Sequence, residues 1–139
     1  MDKKTVPNEI MLEDAANLMA EGREVSFTPL GNSMLPFIRG GRDSVTLKAN
    51  HDVKVGDMAL VRTGGRYVLH RVIKAEENVL TLMGDGNIRG TEQCTRDDVL
   101  GTVIAIERNG RTIIPGNGLW WRLLKPFRRY ILAIYRRII

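Results

Sequence analysis

Short apolar runs closed by turn signals fill the chain between residues 45 and 113 and constrain its fold more than any other feature. The runs have the composition of strands, and they cover residues 45–47, 58–61, 67–69, 79–82 and 99–106. The turn signals around them are Gly40-Gly41, Gly64-Gly65, Glu77-Asn78 and Asn109-Gly110. Connections this short leave no room for the crossover helices of a parallel sheet. The pattern therefore predicts a mostly antiparallel β fold, with a hairpin at Asn109-Gly110.

A short helix is expected before these runs. Apolar residues recur there at about helical spacing, at Ile10, Met11, Ala15, Leu18 and Met19. Gly22 is a typical stop signal, so the predicted helix covers residues 8–21. At 139 residues the chain is long enough for one domain with its own apolar core. The predicted fold class is α+β, predominantly antiparallel β, with a short N-terminal helix and a C-terminal amphipathic helix.

The C-terminal segment differs in composition from the rest of the chain. Pro115-Gly116-Asn117-Gly118 marks a boundary between a domain over residues 1–118 and a basic amphipathic tail over residues 119–139. The chain has 21 Lys and Arg and 16 Asp and Glu, and six of the cations but none of the acids lie in the tail. The 15 remaining cations nearly balance the acids, which argues against a nucleic-acid-binding surface on the main body.

The tail has the composition of a segment that docks on an anionic membrane surface. The apolar residues of its predicted helix form one stripe, at Phe127, Tyr130, Ile131, Ile134 and Ile138. The expected membrane contacts are the interfacial aromatics and the cations, Trp120, Trp121, Arg122, Lys125, Arg128, Arg129, Arg136 and Arg137. A helix packed on the β domain, with solvated arginines, is the alternative, and nucleic-acid binding is disfavoured.

No membrane-spanning or targeting segment is recognisable in the sequence. The apolar runs fall far below the ~20 residues of a transmembrane helix, and the N-terminal residues lack the apolar stretch of a signal peptide. A peripheral membrane location on the cytoplasmic face is therefore expected.

Ser33 and His70 are a candidate nucleophile and a candidate general base. Ser33 lies in Gly31-Asn32-Ser33-Met34-Leu35-Pro36, where glycine allows backbone amides to approach a reacting carbonyl. His70 lies in a predicted strand whose alternation places Val68, His70 and Val72 on one face. Histidine exchanges protons near neutral pH, as a general base must. Taken singly, an ordinary turn serine and a structural histidine are the simpler interpretations.

Two acids follow His70 and could orient its ring. Asp85 lies in Gly84-Asp85-Gly86-Asn87, which alone indicates only a tight turn, and Glu92 lies shortly after it. A nucleophile, a base and an orienting acid are the parts of a serine hydrolase. No calcium loop, zinc-ligand spacing or phosphate-binding glycine loop is recognisable, so no metal or cofactor is expected. The single cysteine, Cys94, cannot form an internal disulfide.

The order of these motifs resembles the signal peptidase I family of serine peptidases. The matching segments lie within residues 25–106 and are Gly31-Asn32-Ser33-Met34-Leu35-Pro36, Val55-Gly56-Asp57-Met58, His70-Arg71-Val72, Gly84-Asp85-Gly86-Asn87 and Val99-Leu100-Gly101. The histidine at position 70 resembles the general base of the family's Ser-His type, whereas the common bacterial form has a lysine as its base. The resemblance implies a mostly antiparallel domain in which an extended polypeptide substrate pairs with a strand edge near Ser33. Its substrates would be exported precursors cut after small residues.

The resemblance also implies roles for individual residues. Ser33 would be the nucleophile and His70 the general base. Asp85 matches a family motif directly and is the preferred orienting acid, whereas Glu92, close to where the Ser-His type carries its acid, is the alternative. We therefore expect a serine endopeptidase. From a different class, an inactive peptidase-fold module that binds membrane or nucleic acid through its basic tail fits the same sequence.

Overall fold

The structure, a computed structural model, describes residues 8–31, 33–50, 52–86, 90–116 and 131–134 of the chain. Helix α1 covers Asn8–Ala20, in agreement with the predicted helix. Eight strands follow: β1 Val25–Phe27, β2 Ser44–Lys48, β3 Met58–Thr63, β4 Arg66–Ala75, β5 Val79–Met83, β6 Glu92–Thr95, β7 Val99–Arg108 and β8 Arg111–Ile113. A 3-10 turn, Arg96–Asp98, joins β6 to β7.

All the strand pairs are antiparallel and belong to one sheet. The order across the sheet is β1-β2-β7-β3-β4-β5-β6, with β8 paired to β7. The predicted α+β architecture with a mostly antiparallel sheet is thereby confirmed. Strands β1 and β6 were not predicted, because one has three residues and the other is polar in sequence. Each lies at one end of the strand order, where a single neighbouring strand holds it.

The turn between β7 and β8 has the geometry that its sequence predicts. Arg108 and Arg111 are directly paired, so the loop consists of Asn109 and Gly110 alone. Both residues have positive φ, 52° for Asn109 and 78° for Gly110. A type I′ turn needs this conformation at both central positions, and asparagine and glycine adopt it most easily. The predicted hairpin is confirmed.

The two faces of the sheet bury two separate apolar cores. Helix α1 covers one face, where its Leu12 and Met19 pack with Leu60 and Leu69. The opposite face buries its own cluster, which includes Ala59, Val61, Val68, Val72, Leu80, Leu82 and Cys94. Adjacent residues of β4 thus serve different cores, as the alternation of a strand requires. The predicted placement of Val68 and Val72 on the face opposite Leu69 is confirmed.

Gly101 on β7 lies in close contact with the Met19 side chain of α1 and with the end of β2. A Cβ built at this position would lie 2.5 Å from the Met19 sulfur and 2.6 Å from the Lys48 carbonyl oxygen. Because Cβ atoms do not approach other atoms this closely, any larger residue would displace the Lys48 backbone of β2 as well as the Met19 side chain. The glycine of the Val99-Leu100-Gly101 segment therefore has a packing role.

At its other end the sheet curls back on itself. Thr63 Oγ1 at the end of β3 donates a hydrogen bond of 2.8 Å to the carbonyl oxygen of Gln93 in β6. Since β4 and β5 lie between these two strands in the sheet order, the contact requires strong curvature. The curvature brings side chains of β4 and β6 that share the concave face towards each other.

Part of the C-terminal tail packs against the segment that follows Ser33. Residues 131–134 form a helical turn, and its Leu132 is fully buried against Leu35, with Phe37 alongside. Ile134, which the predicted stripe groups with Ile131, is 57% exposed. All eight residues expected to contact a membrane lie outside the described residues. No helix among the described residues is long and apolar enough to cross a membrane.

Candidate active site

Ser33 lies exposed on a loop whose next residues are anchored in the protein core. Met34 and Leu35 are buried immediately after it, and the amides of Phe37 and Ile38 both donate to the Met34 carbonyl oxygen at 3.0 Å. The anchoring explains why an apolar pair follows a surface serine in the sequence. It fixes the backbone on one side of the candidate nucleophile, although Ser33 itself remains accessible.

The two ends of the Ser33 loop meet in a backbone contact that only glycine permits. A Cβ at Gly40 would lie 1.7 Å from the carbonyl oxygen of Gly31, and Gly31 itself has a φ of 85°. The Gly41 amide also donates to the Pro29 carbonyl oxygen at 2.7 Å. The loop is therefore closed at its base by main-chain contacts, which restrict where Ser33 can lie.

His70 is held by Glu92 through a hydrogen bond between Nδ1 of the ring and the Glu92 carboxylate oxygen Oε1. The residues belong to β4 and β6, and both side chains are largely shielded from solvent. A neutral imidazole that donates from Nδ1 carries its lone pair on Nε2, which is the atom that a general base needs. The pair thus has the geometry of an oriented base.

Ser33, His70 and Glu92 line a single cavity of about 370 Å³. Much of the remaining wall is apolar and comes from separate segments of the chain, including Leu12, Pro29, Leu30, Met34, Ile38 and Leu69. Among the described residues, no side-chain hydrogen bond joins Ser33 Oγ to His70. Catalytic hydrogen bonds of this kind often tighten only when a substrate is bound. The cavity can accept part of a polypeptide beside the candidate catalytic residues.

Asp85, the preferred orienting acid, does not contact His70. Its carboxylate forms a bidentate pair with Arg71, with distances of 2.8 Å from Nε to Oδ1 and 2.8 Å from Nη2 to Oδ2. Arg71 is 1% exposed and Asp85 3% exposed, so the pair is fully buried. Because Arg71 follows His70 in the strand, it points to the opposite face and takes Asp85 with it. Of the two candidate acids, Glu92 is therefore the one that contacts His70.

Arg71 connects the segments that surround Ser33. Its Nη1 donates to the carbonyl oxygens of Gly56 at 2.7 Å and Gly116 at 3.0 Å. Its guanidinium also lies over the Phe37 ring, 4.9 Å from the ring centre. Since Phe37 belongs to the Ser33 loop, the buried cation joins this loop to the segment of Gly56 and to Asp85. Sequence reasoning missed this role, for which an arginine in the middle of a predicted strand was the available signal.

The turn that contains Asp85 supports the Ser33 loop directly. The Gly86 amide donates to the Ser33 carbonyl oxygen at 2.7 Å, and the Asp85 amide lies 3.4 Å from the Met34 sulfur. The Gly84-Asp85-Gly86 segment thus positions the backbone of the candidate nucleophile. Its aspartate has a structural task, through Arg71, rather than contact with the base.

A second buried acid, Asp43, fixes the far side of the same loop, and sequence reasoning missed it. It accepts hydrogen bonds from the Arg39 and Arg108 guanidiniums, and Arg108 donates further to the carbonyl oxygens of Pro36 and Phe37. Burial alone would raise the pKa of Asp43, but the hydrogen bonds from Arg108 and Arg39 outweigh burial and hold the pKa below its ordinary value. The carboxylate is therefore ionised at neutral pH.

The described residues contain no group of three or more His, Cys, Asp or Glu side chains that could hold a metal ion. In comparisons with known proteins, no protein-family model matches this chain and no curated protein matches its sequence. The resemblance to the signal peptidase I family consequently rests on the ordered motifs.

Proposed function

We propose that this protein is a serine endopeptidase of the Ser-His type, resembling signal peptidase I, with Glu92 as the acid that orients the base. The observation that favours this function most is the hydrogen bond from His70 Nδ1 to Glu92 in a cavity that Ser33 also lines. Serine, histidine and a carboxylate recur in unrelated hydrolases because each contributes a separate step of acyl transfer. Three such residues from distant parts of the sequence converge here.

In the proposed reaction, Ser33 Oγ attacks the scissile carbonyl carbon while His70 Nε2 accepts the hydroxyl proton. Glu92 stabilises the positive charge that develops on the imidazole, and backbone amides at the Ser33 turn stabilise the oxyanion. The C–N bond then breaks as His70 delivers the proton to the leaving amine. A water molecule, deprotonated by the same histidine, hydrolyses the acyl-enzyme and restores Ser33.

The proposed substrate is an extended polypeptide that lies along β4. Strand β3 pairs with residues 66–71 of β4, whereas β5 pairs only from Arg71 onwards. In the part of the chain that the structure describes, no strand pairs with Val68, Leu69 or His70 on the side away from β3. An added strand at this edge would gain main-chain hydrogen bonds and would place its own carbonyl groups near Ser33. Exported or membrane-proximal precursors remain the proposed substrate class.

Covalent labelling by a fluorophosphonate probe tests the nucleophile without knowledge of the substrate. The intact protein should gain the mass of one adduct, and peptide mapping should place it on Ser33. Ser33→Ala should abolish the labelling. Ser26→Ala is the matched control, because Ser26 hydrogen-bonds Thr46 on the edge of the sheet and should leave the labelling unchanged. An adduct elsewhere, or none at all, would contradict the proposal.

A second proposed function is peripheral binding to an anionic membrane surface through the tail. Two exposed isoleucines favour it: Ile114, which precedes the tail, is 75% exposed, and Ile134 within the tail is 57% exposed. Apolar groups beside a segment with six cations and no acid suit insertion at a membrane interface.

Vesicle flotation tests this second proposal. The full-length chain should float with phosphatidylglycerol-containing vesicles but not with phosphatidylcholine alone. Replacing Arg128, Arg129, Arg136 and Arg137 together by glutamine should release it, because each cation contributes about 1 kcal/mol near an anionic leaflet. Equal flotation of the variant would rule out binding through these arginines.

A further inference from the structure

A cation without an acidic partner lies in the wall of the candidate active site. Arg66 begins β4, directly after the Gly64-Gly65 turn, and its side chain is exposed. It lines the same cavity as Ser33 and His70. In the part of the chain that the structure describes, no ion pair or hydrogen bond engages its guanidinium. The positive charge is therefore available to a bound molecule.

Among the described residues, no acid lies within ion-pair distance of Arg66. Glu92 is the acid among the described residues that line it, and its carboxylate is engaged by His70. The nearby Arg62 does not line this cavity, and its guanidinium lies over the Tyr67 ring at 5.6 Å. Arg66 thus places an unpaired positive charge in the wall of the cavity.

The position of Arg66 along β4 defines which part of a substrate it can reach. It lies four residues before His70, so strand geometry separates the two Cα atoms by about 13 Å. Residues 66, 68 and 70 share one face, and burial increases from the exposed Arg66 to the largely buried His70. The cavity therefore leads from an open, cationic end to the candidate catalytic residues.

We propose that Arg66 selects substrates that carry an acidic side chain about four residues from the scissile bond. The inference rests on the proposed peptidase function and names the class of polypeptide that it would cut. An extended substrate beside β4 advances at the same distance per residue as the strand, so the substrate residue level with Arg66 lies about four positions from the one level with His70. Its carboxylate would meet a guanidinium that is suited to bidentate binding.

The expected selectivity is modest, because Arg66 is exposed and its ion pair would be partly screened by solvent. An acidic residue at this position should raise kcat/KM roughly two- to fivefold over a neutral one. Charge reversal by Arg66→Glu replaces attraction with repulsion, so the preference between acidic and basic substrates should change by roughly tenfold or more.

A synthetic library of peptides with varied sequence and amidated C-termini provides the test. Full-length wild type, Arg66→Glu and Arg66→Lys would each digest it, and mass spectrometry would record the residues around every cut. The amidation removes chain-terminal carboxylates, so any acidic preference must come from side chains. Arg111→Glu is the matched control, because Arg111 also follows a two-residue turn, is exposed and lines a separate cavity.

The peptides cleaved by wild type should be enriched in Asp and Glu roughly three to five residues from the cut, as the strand spacing requires. The same enrichment is expected for Arg66→Lys and Arg111→Glu. Arg66→Glu should lose this enrichment and favour Lys and Arg there. If wild type and Arg66→Glu cleave with the same preference, the inference about Arg66 is overturned, whereas the proposed peptidase function is not. No cleavage by any variant, together with no labelling of Ser33, would overturn the peptidase proposal and this inference with it.

Discussion

Glu92 accepts a hydrogen bond from Nδ1 of His70, and the two residues come from strands that are not adjacent in the sheet. The contact exists because the sheet curls and because both side chains lie on its concave face. On the opposite face of β4, Arg71 holds Asp85 in a buried ion pair. Neighbouring residues of one strand therefore serve different purposes, one in the candidate chemistry and the other in positioning the Ser33 loop.

We predict that the two acids can be separated by their amide variants. Glu92→Gln should lower kcat by several powers of ten, because replacing the orienting acid of a triad by its amide lowers kcat by a factor on the order of 10⁴. The variant should lose little stability. Asp85→Asn should destabilise the fold by about 3–5 kcal/mol, because it leaves the Arg71 charge buried without a partner. Urea denaturation and peptidase assays would measure both. Full activity of Glu92→Gln would show that the enzyme works as a dyad.

Ser33 and His70 should behave as one unit. Ser33→Ala and His70→Ala should each remove nearly all activity. Loss of either member of such a pair lowers kcat by a factor on the order of 10⁶. The double variant should be little slower than either single one, because the remaining member cannot act alone. Rates from prolonged incubation with the best library peptide would decide this. If both single variants stay active and their losses in activation free energy simply add in the double variant, the assignment is contradicted.

The backbone contact between Gly31 and Gly40 should be necessary for the position of Ser33. Gly40→Ala places a methyl group against the Gly31 carbonyl and should cost about 1–3 kcal/mol in unfolding free energy while lowering the rate of probe labelling at Ser33. Gly116→Ala is the control, since a Cβ there meets no atom within 4 Å. Equal labelling rates for Gly40→Ala and wild type would show that the loop does not need this contact.

Asp43 should make the protein sensitive to acid. Its pKa is held below the ordinary value of 3.8 in the folded state, so its ionised form favours folding. That stability is present above the unfolded pKa and is lost as pH falls through the lower, folded pKa. The difference in unfolding free energy between wild type and Asp43→Asn should therefore shrink between about pH 5 and pH 2. Urea titrations at several pH values would measure it, and a constant difference would contradict the prediction.

Cys94 should be unreactive in the folded protein. Burial, and then the nearby charge of Asp98, raise the pKa of its thiol to about 11, so the thiolate is scarce at neutral pH. Iodoacetamide should leave the native protein unmodified and should label the single cysteine fully once denaturant is added. Mass spectrometry would count the adducts. Rapid labelling without denaturant would mean that β6 opens readily from the sheet.

Some features of this protein follow from local sequence alone. The helix of residues 8–20 and the Asn109-Gly110 hairpin were predicted because apolar spacing and turn chemistry act over a few residues. The alternation in β4 likewise placed His70 on the face of Val68 and Val72. Ser33 and His70 could be proposed as partners from motif order, before any geometry was known.

Other features depended on contacts between distant residues and could not be read from the sequence. Strand β6 is polar and short, and it exists because β5 pairs with it. The contact of His70 with Glu92 rather than Asp85 depends on the curvature of the sheet and on the opposite orientation of Arg71. The contacts of the buried Asp43 with Arg108 join residues 65 positions apart. Local patterns determine which face a side chain takes, whereas only the folded sheet determines which partner it meets there.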